Sequence, residues 1–287
     1  MSDSMPRTEL CRLEVDGPVA RLNLTRTQVH NALNIQLISE ITDVLEWAAV
    51  RSVGSTGELH GSDGSQNLRV LVISSEGRHF CAGADINMMR EGGKKSAEDN
   101  RSDAELLDCL FHGLWSHPCF TIASVHGVAL GGGAGLVACC DHAIATKETR
   151  IALSEAKLGI LPAVIGPYVY RRVGSAQFRR LATLAGTFET DEALTIGMID
   201  QIADNAEEAS RLVEETIAAL LTTGPVAVME AKRLTDSFDR WTGTDEELRE
   251  WVLDKTSEMR ASTEGQEGLA AFLEGRKPAW SPEDQEG

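Results

Sequence analysis

The stretch Val128-Ala-Leu-Gly-Gly-Gly-Ala-Gly-Leu136 sets three consecutive glycines between two apolar runs, the second of which continues to Cys140. A strand signal at Phe120–Val125 precedes it, so the order is strand, glycine turn, apolar helix. A helix that begins at such a turn exposes unpaired N–H groups and the positive end of its dipole. The segment is therefore a candidate for meeting negative charge through the main chain. Close packing of a helix on a strand asks for the same glycines, so the run decides nothing by itself. A dinucleotide fingerprint fits less well. Glu155 lies twenty positions after Gly135, as that fingerprint wants, but G-x-G-x-x-G set on Gly131 and Gly133 needs glycine where Leu136 stands. No second mononucleotide half follows.

Outward toward the N-terminus, Leu10–Val15 and Val19–Leu24 alternate apolar and polar residues around Asp16-Gly17-Pro18, a hairpin signal. Ile35, Leu37, Ile38, Ile41, Val44, Leu45 and Ala48 recur at helical spacing and predict an amphipathic helix that ends near Ser52. A Gly/Ser-rich loop over 54–66 leads to the apolar run 68–74, which reads as a buried strand joined to the first part by a βαβ crossover. The polar stretch through Asp103 is expected to be a mobile loop or short helix over a site, and Ala104–Trp115 a helix. Toward the C-terminus, short strands are expected at His142–Ala145 and around Met198–Ile202. Helical patterns then fill 206–222, 225–238, 245–260 and 265–274. The expected organisation is α/β, with a βα-rich body over 1–205 and a helical C-terminal region over 206–287.

Composition narrows the function classes. With 287 residues, 42% of them hydrophobic, the chain is long enough to bury a sizeable core. A formal charge of −17 argues against a general nucleic-acid or anionic-membrane surface, which calls for clustered Lys and Arg. No apolar stretch approaches the roughly 20 residues of a membrane helix. The six cysteines form no CxxC pair and the seven histidines show no metal-ligand spacing, so no metal is implied. The start MSDSMPRTEL has no signal-peptide pattern, and a cytoplasmic location is expected.

Two further segments point to the same chemistry as the glycine run. Phe80-Cys-Ala-Gly-Ala-Asp-Ile86 puts small residues after a buried strand, where a ligand can approach the main chain closely. Leu153-Ser-Glu-Ala-Lys-Leu-Gly-Ile-Leu-Pro162 carries Glu155 inside a largely apolar sequence, where loss of water should raise its pKa.

These three segments, with Ala-Phe-Leu-Glu-Gly-Arg-Lys-Pro-Ala-Trp at 271–280, resemble the enoyl-CoA hydratase/isomerase (crotonase) family in content, order and spacing from about Leu10 to Trp280. The stretches G-G-G-x-G-L-x-A-C-C-D and L-P-A-V-I-x-P-Y are similar to those of 3-methylglutaconyl-CoA and isohexenylglutaconyl-CoA hydratases. The resemblance implies a crotonase-like spiral of ββα turns and a C-terminal helical region that trimerises, in trimers or hexamers. It implies an acyl-CoA substrate, with coenzyme A as part of the substrate rather than a separate cofactor, and a place in fatty-acid or leucine breakdown.

On the matching positions, the amides of Ala84 and Gly132 would form an oxyanion hole for the thioester oxygen, with Gly131 beside them. Fixed donors aimed at an enolate oxygen are worth roughly 3–4 kcal/mol apiece. Glu155 would move the proton. Ala82, Asp85 and Ile86 would contact the adenine end of coenzyme A, while Arg26, Phe272 and Lys277 would meet its phosphates or pantetheine arm. Departures from the family pattern are Gly135, where two-glutamate hydratases carry a second Glu, Leu24-Thr25, Asn87, and Ala163-Val164-Ile165 in place of a glycine-containing loop. Gly135 is expected to leave volume for a branched acyl chain and to remove a charge that would repel a dicarboxylic one. A hydratase is the leading expectation. A single-glutamate Δ3,Δ2-isomerase and a scaffold that merely binds acyl-CoA or RNA are the alternatives, and retention of Glu155 and the acidic charge speak against the last.

Overall fold

The computed structural model describes residues 4–282. Its strands are β1 (Cys11–Asp16), β2 (Val19–Leu24), β3 (Val70–Ser75), β4 (Phe120–Val125), β5 (Val128–Leu130), β6 (His142–Thr146), β7 (Arg150–Ala152), β8 (Phe188–Glu189) and β9 (Gln201–Ala203). The helices are α1 (Ile35–Val50), α2 (Val53–Thr56), α3 (Ile86–Gly92), α4 (Ala97–Trp115), α5 (Gly132–Cys139), α6 (Gly166–Leu184), α7 (Thr190–Thr195), α8 (Ala206–Leu221), α9 (Pro225–Asp239), α10 (Asp245–Ala261) and α11 (Thr263–Glu274). Six strands form one sheet in the order β1-β2-β3-β4-β6-β9. The β1–β2 hairpin is antiparallel and the other pairs are parallel. A second sheet, β5-β7-β8, stands beside it.

Alternation along the strands sorts the core into two layers. Val70, Val72, Ile122 and Ile144 face Ala209, Val213 and Ile217 of α8. Leu71, Ile73, Ala123 and Val125 belong to the main core, closed by Leu37, Ile41, Leu110, Phe111, Leu136 and Val169 from α1, α4, α5 and α6. Burying each such side chain stabilises by about 1.5–3 kcal/mol. Helix α5 is buried from Gly133 to Cys139, which is why its sequence is apolar all round rather than amphipathic.

The C-terminal helices are tied to the body by two cations. Lys232 on α9 donates to the carbonyls of His117 (2.6 Å) and Cys119 (2.8 Å) and to Asp141 Oδ2 (2.6 Å). The same Asp141 oxygen accepts from Thr121 N and Oγ1, so one carboxylate joins β4, the end of α5 and α9. Arg69, before β3, donates to the carbonyls of Leu220, Leu221 and Thr223 at the end of α8 and to Trp280 O. Among the described residues no single helix is long and apolar enough to cross a membrane.

Three differences from the sequence expectations have physical causes. The polar stretch before Asp103, expected as a mobile loop or short helix, is the short helix α3 plus, unexpectedly, the first turns of α4. Ser96 caps α4 by accepting from Asp99 N, and Glu98 and Asp99 stabilise its positive end, so a helix forms there without an apolar stripe. Helix α6 was not expected, because Pro167 opens it and Gly174, at φ +76°, interrupts its pattern. The second sheet was also missed, since its strands are only two or three residues long.

Candidate active site

The loop after β3 runs between two neighbours that fix its direction. Cys81 N donates to Val128 O (3.1 Å) and Cys81 O accepts from Leu130 N (3.0 Å), tying the loop to β5. On its other side Leu33 N donates to Gly83 O (2.8 Å) and Asp85 N to Leu33 O (2.9 Å). A parallel bridge of this kind uses the carbonyl before and the amide after residue 84, so the Ala84 amide faces the opposite side, toward the glycine run. Gly83 makes the approach possible. It sits at φ +94°, and a Cβ there would lie 2.7 Å from Leu130 O and 3.6 Å from Gly132 N.

The glycine run then divides its work residue by residue. Gly131, at φ +48°, donates its N–H to Ala152 O of β7 (2.8 Å), which turns the chain into α5. Gly132 is the first helical residue, where an amide has no intrahelical acceptor. The position a Cβ would take at Gly132 is 3.8 Å from Ala84 N. The two amides are therefore neighbours, and among the described residues neither donates a hydrogen bond. Both residues are partly exposed. An oxygen acquiring negative charge is what such a pair holds best.

Glu155 reaches this place through strand register. Leu130 pairs with Ala152, so the turn after β7 delivers Glu155 against the end of β5. Its Oε1 lies 3.0 Å from where a Cβ at Gly131 would stand, so a side chain there would crowd the carboxylate. Its Oε2 is buried without a hydrogen-bond partner among the described residues. Burial raises its pKa, opposed only by its own backbone amide. A carboxylate of this kind takes up and releases a proton more readily near neutral pH than an exposed one does.

Several residues expected to contact the ligand have other partners. Arg26 pairs with Asp85 at 2.8 Å, both side chains being largely buried at 15% and 13% exposure, and it also donates to Ala32 O. Asp85 in turn caps α3 by accepting from Asn87 N and Met88 N. Burial would raise the Asp85 carboxyl, but the Arg26 hydrogen bond and the two amides outweigh it and hold the pKa below its ordinary value. Arg26, expected to meet the phosphates or pantetheine arm of the ligand, is engaged by Asp85 and by Ala32 O. It fastens the 26–33 loop to the segment carrying Ala84. Ala82 is partly exposed and donates its N–H to His30 O, while Ile86 is 66% exposed at the start of α3. Phe272 is 85% exposed on α11, which packs against α10, and Lys277 is exposed beyond it.

Gly135 is the second correction. It is buried, and a Cβ there would lie 2.4 Å from Ile165 Cγ2 and 2.9 Å from Phe111 Cε1. The space expected for a branched acyl chain is filled by protein. Leu33, Phe111 and Ile165 are the neighbours that sequence reasoning did not single out, since each reads as an ordinary apolar core position.

Comparison with known proteins places this geometry in a family. A sequence model of the family described as enoyl-CoA hydratase/isomerase matches residues 14–283. The crystal structure of an enoyl-CoA hydratase from Shewanella pealeana superposes with a TM-score of 0.86 at 34% identity, covering 96% of this chain and 97% of that one. AtuE of Pseudomonas aeruginosa gives a TM-score of 0.85 at 34% identity, covering 96% of this chain and all of that one (100%). An enoyl-CoA isomerase/hydratase of Zymoseptoria tritici is 27% identical over 277 residues, which is 92% of this chain and 84% of the relative. With its parallel sheet, glycine-run helix and C-terminal helices in the crotonase arrangement, the chain belongs to the enoyl-CoA hydratase/isomerase family.

Proposed function

We propose that this chain hydrates the double bond of an unsaturated acyl-CoA thioester. The thioester oxygen sits between the amides of Ala84 and Gly132, which stabilise the enolate that forms when water adds. Glu155 takes a proton from water as the oxygen joins the β-carbon, and returns a proton to the α-carbon as the enolate collapses. The observation that carries this reading is the pairing of two neighbouring amides, acceptor-free among the described residues, with one partly buried carboxylate whose Oε2 is shut away without a partner. Relatives named as hydratases support water addition, although others are named for both hydration and isomerisation. Coenzyme A is part of the substrate, and no separate cofactor enters. The motif resemblance supports a methylglutaconyl-type acyl group. Leu269, Phe272 and Leu273 form an exposed apolar stripe on α11, which supports assembly into the trimer or hexamer expected for the family.

A second reading is a Δ3,Δ2-enoyl-CoA isomerase. The specific observation in its favour is that Glu155 stands without a second carboxylate to share the water. Incubation with 3-methylglutaconyl-CoA and with straight-chain 2-enoyl- and 3-enoyl-CoAs, followed by mass analysis, separates the two. Gain of one water supports the hydratase. An unchanged mass with a moved double bond supports the isomerase, and no reaction with any of them overturns both.

A further inference from the structure

His30 and Asn31 are consecutive residues in the left-handed region, each at φ +56°. Among side chains with a Cβ, that region is entered mainly by Asn, Asp and His, and a pair in succession persists only where the surroundings hold it. The surroundings here are the segment that carries Ala84. Asn31 is fully buried, and its Nδ2 donates to Glu76 O and to His79 O, both at 2.9 Å. Those two carbonyls bracket the turn after β3 from which the chain sets out toward Ala84. Just before Asn31, His30 O accepts from Ala82 N at 2.9 Å, and two residues beyond it Leu33 holds Gly83 O and Asp85 N. The left-handed pair therefore turns side chain and main chain of one short loop onto successive points of the same segment. The carboxamide oxygen of Asn31 is buried without a hydrogen-bond partner among the described residues, a destabilising arrangement. The side chain serves as a double donor, and its other half detracts from stability.

We infer that Asn31 is a positioning residue for the chemistry proposed above: by clamping the 76–79 turn to the 26–33 loop, it sets the Ala84 amide beside that of Gly132 so that one oxygen can accept from both. It acts through the main chain rather than on the substrate. The inference rests on the oxyanion role proposed for those two amides.

The test uses the full-length protein and Asn31→Gly, which keeps the left-handed conformation accessible and deletes only the side-chain donors. Asn31→Ser, which retains one short donor, stands in if the glycine variant does not fold. Well below each Tm, kcat and KM are measured with a straight-chain 2-enoyl-CoA, and the infrared C=O stretch is recorded for bound butyryl-CoA labelled with carbon-13 at the thioester carbon. That stretch falls in frequency as hydrogen bonds to the oxygen strengthen, and a saturated thioester needs no turnover. Binding to the parent lowers the stretch. In Asn31→Gly the lowering is smaller and kcat falls by about 10- to 100-fold, while KM changes by no more than about threefold. A variant with reduced Tm but with the parent's stretch and kcat overturns the inference, because Asn31 then serves the fold alone. An unshifted stretch in the parent overturns the oxyanion reading and the inference with it, so the two failures are told apart.

Discussion

A carboxylate oxygen shut away from water without a hydrogen bond is destabilising, and Glu155 Oε2 is one. Because its folded pKa is raised, the native state binds the proton more tightly than the unfolded chain does. The associated stability is fully present below the ordinary carboxyl pKa and is lost as pH rises through the raised value. At neutral pH the ionised group therefore weakens the fold. Glu155→Gln should raise Tm at neutral pH by about 2–4 °C, equivalent to about 1 kcal/mol after discounting for partial solvent exposure. The gain should vanish as pH falls below the ordinary value. The same variant should lose about 10²-fold or more in kcat. Parent kcat itself should drop as pH falls through the raised pKa, since the base must be ionised. A Gln variant that is both less stable at neutral pH and fully active would refute the role assigned to Glu155.

At the scale of elements, the amide of Ala84 is held in place by an ion pair and a helix cap that share one carboxylate. Arg26→Met and Asp85→Asn should each cost about 1–3 kcal/mol in urea unfolding, and together hardly more than either alone. Both should lower kcat by shifting the loop that carries Ala84. If Arg26 instead bound a coenzyme A phosphate, its variant would raise KM and leave stability untouched. Local pattern made much of this legible: β2 and β4 have the bounds that alternation and apolar runs predict, and α9 ends within a residue of its expected limit. The same reasoning brought forward Glu155 and the segments Phe80–Ile86 and Val128–Leu136, because small residues after a strand and a carboxylate in an apolar run are local signals, whereas the choice of the Ala84 and Gly132 amides within them came from the family resemblance. The pairing of Arg26 with Asp85 was not foreseen, since the two are 59 positions apart and sequence does not show which charges meet. Ile165 was invisible for a like reason: its contact with Gly135 exists only once α5 and α6 pack.

Across the whole molecule, a C-terminal set of helices is held to the body by the apolar layer under α8 and by polar ties that include Lys232 and Arg69. Lys232→Met strips a cation from Asp141 and from two carbonyls at once, leaving a mostly buried carboxylate unpaired. Such a loss costs about 3–5 kcal/mol when full burial applies, and the lower end is expected here because both partners are about a fifth exposed at 17% and 20%. Limited proteolysis should then cut first between β9 and α9, and urea unfolding should shift to lower concentration with a reduced slope. An unchanged cleavage pattern would show that α8 and its apolar layer suffice to keep the region docked. The −17 charge makes this dependence on a few placed cations sharper, since the surface carries far more acids than bases.

Ala84 and Gly132 offer main-chain amides, not side chains, to the charge-stabilising pair proposed above. What a lineage must inherit for that part of the chemistry is a path of the chain, guarded by Gly83 and Gly131, rather than a particular functional group. The proton handling proposed for Glu155 is the opposite case, because it rests on one carboxylate on one turn. New reactions can therefore arise by redistributing acids around an unaltered backbone cradle, and a collection of descendants would diverge in outcome long before it diverged in architecture.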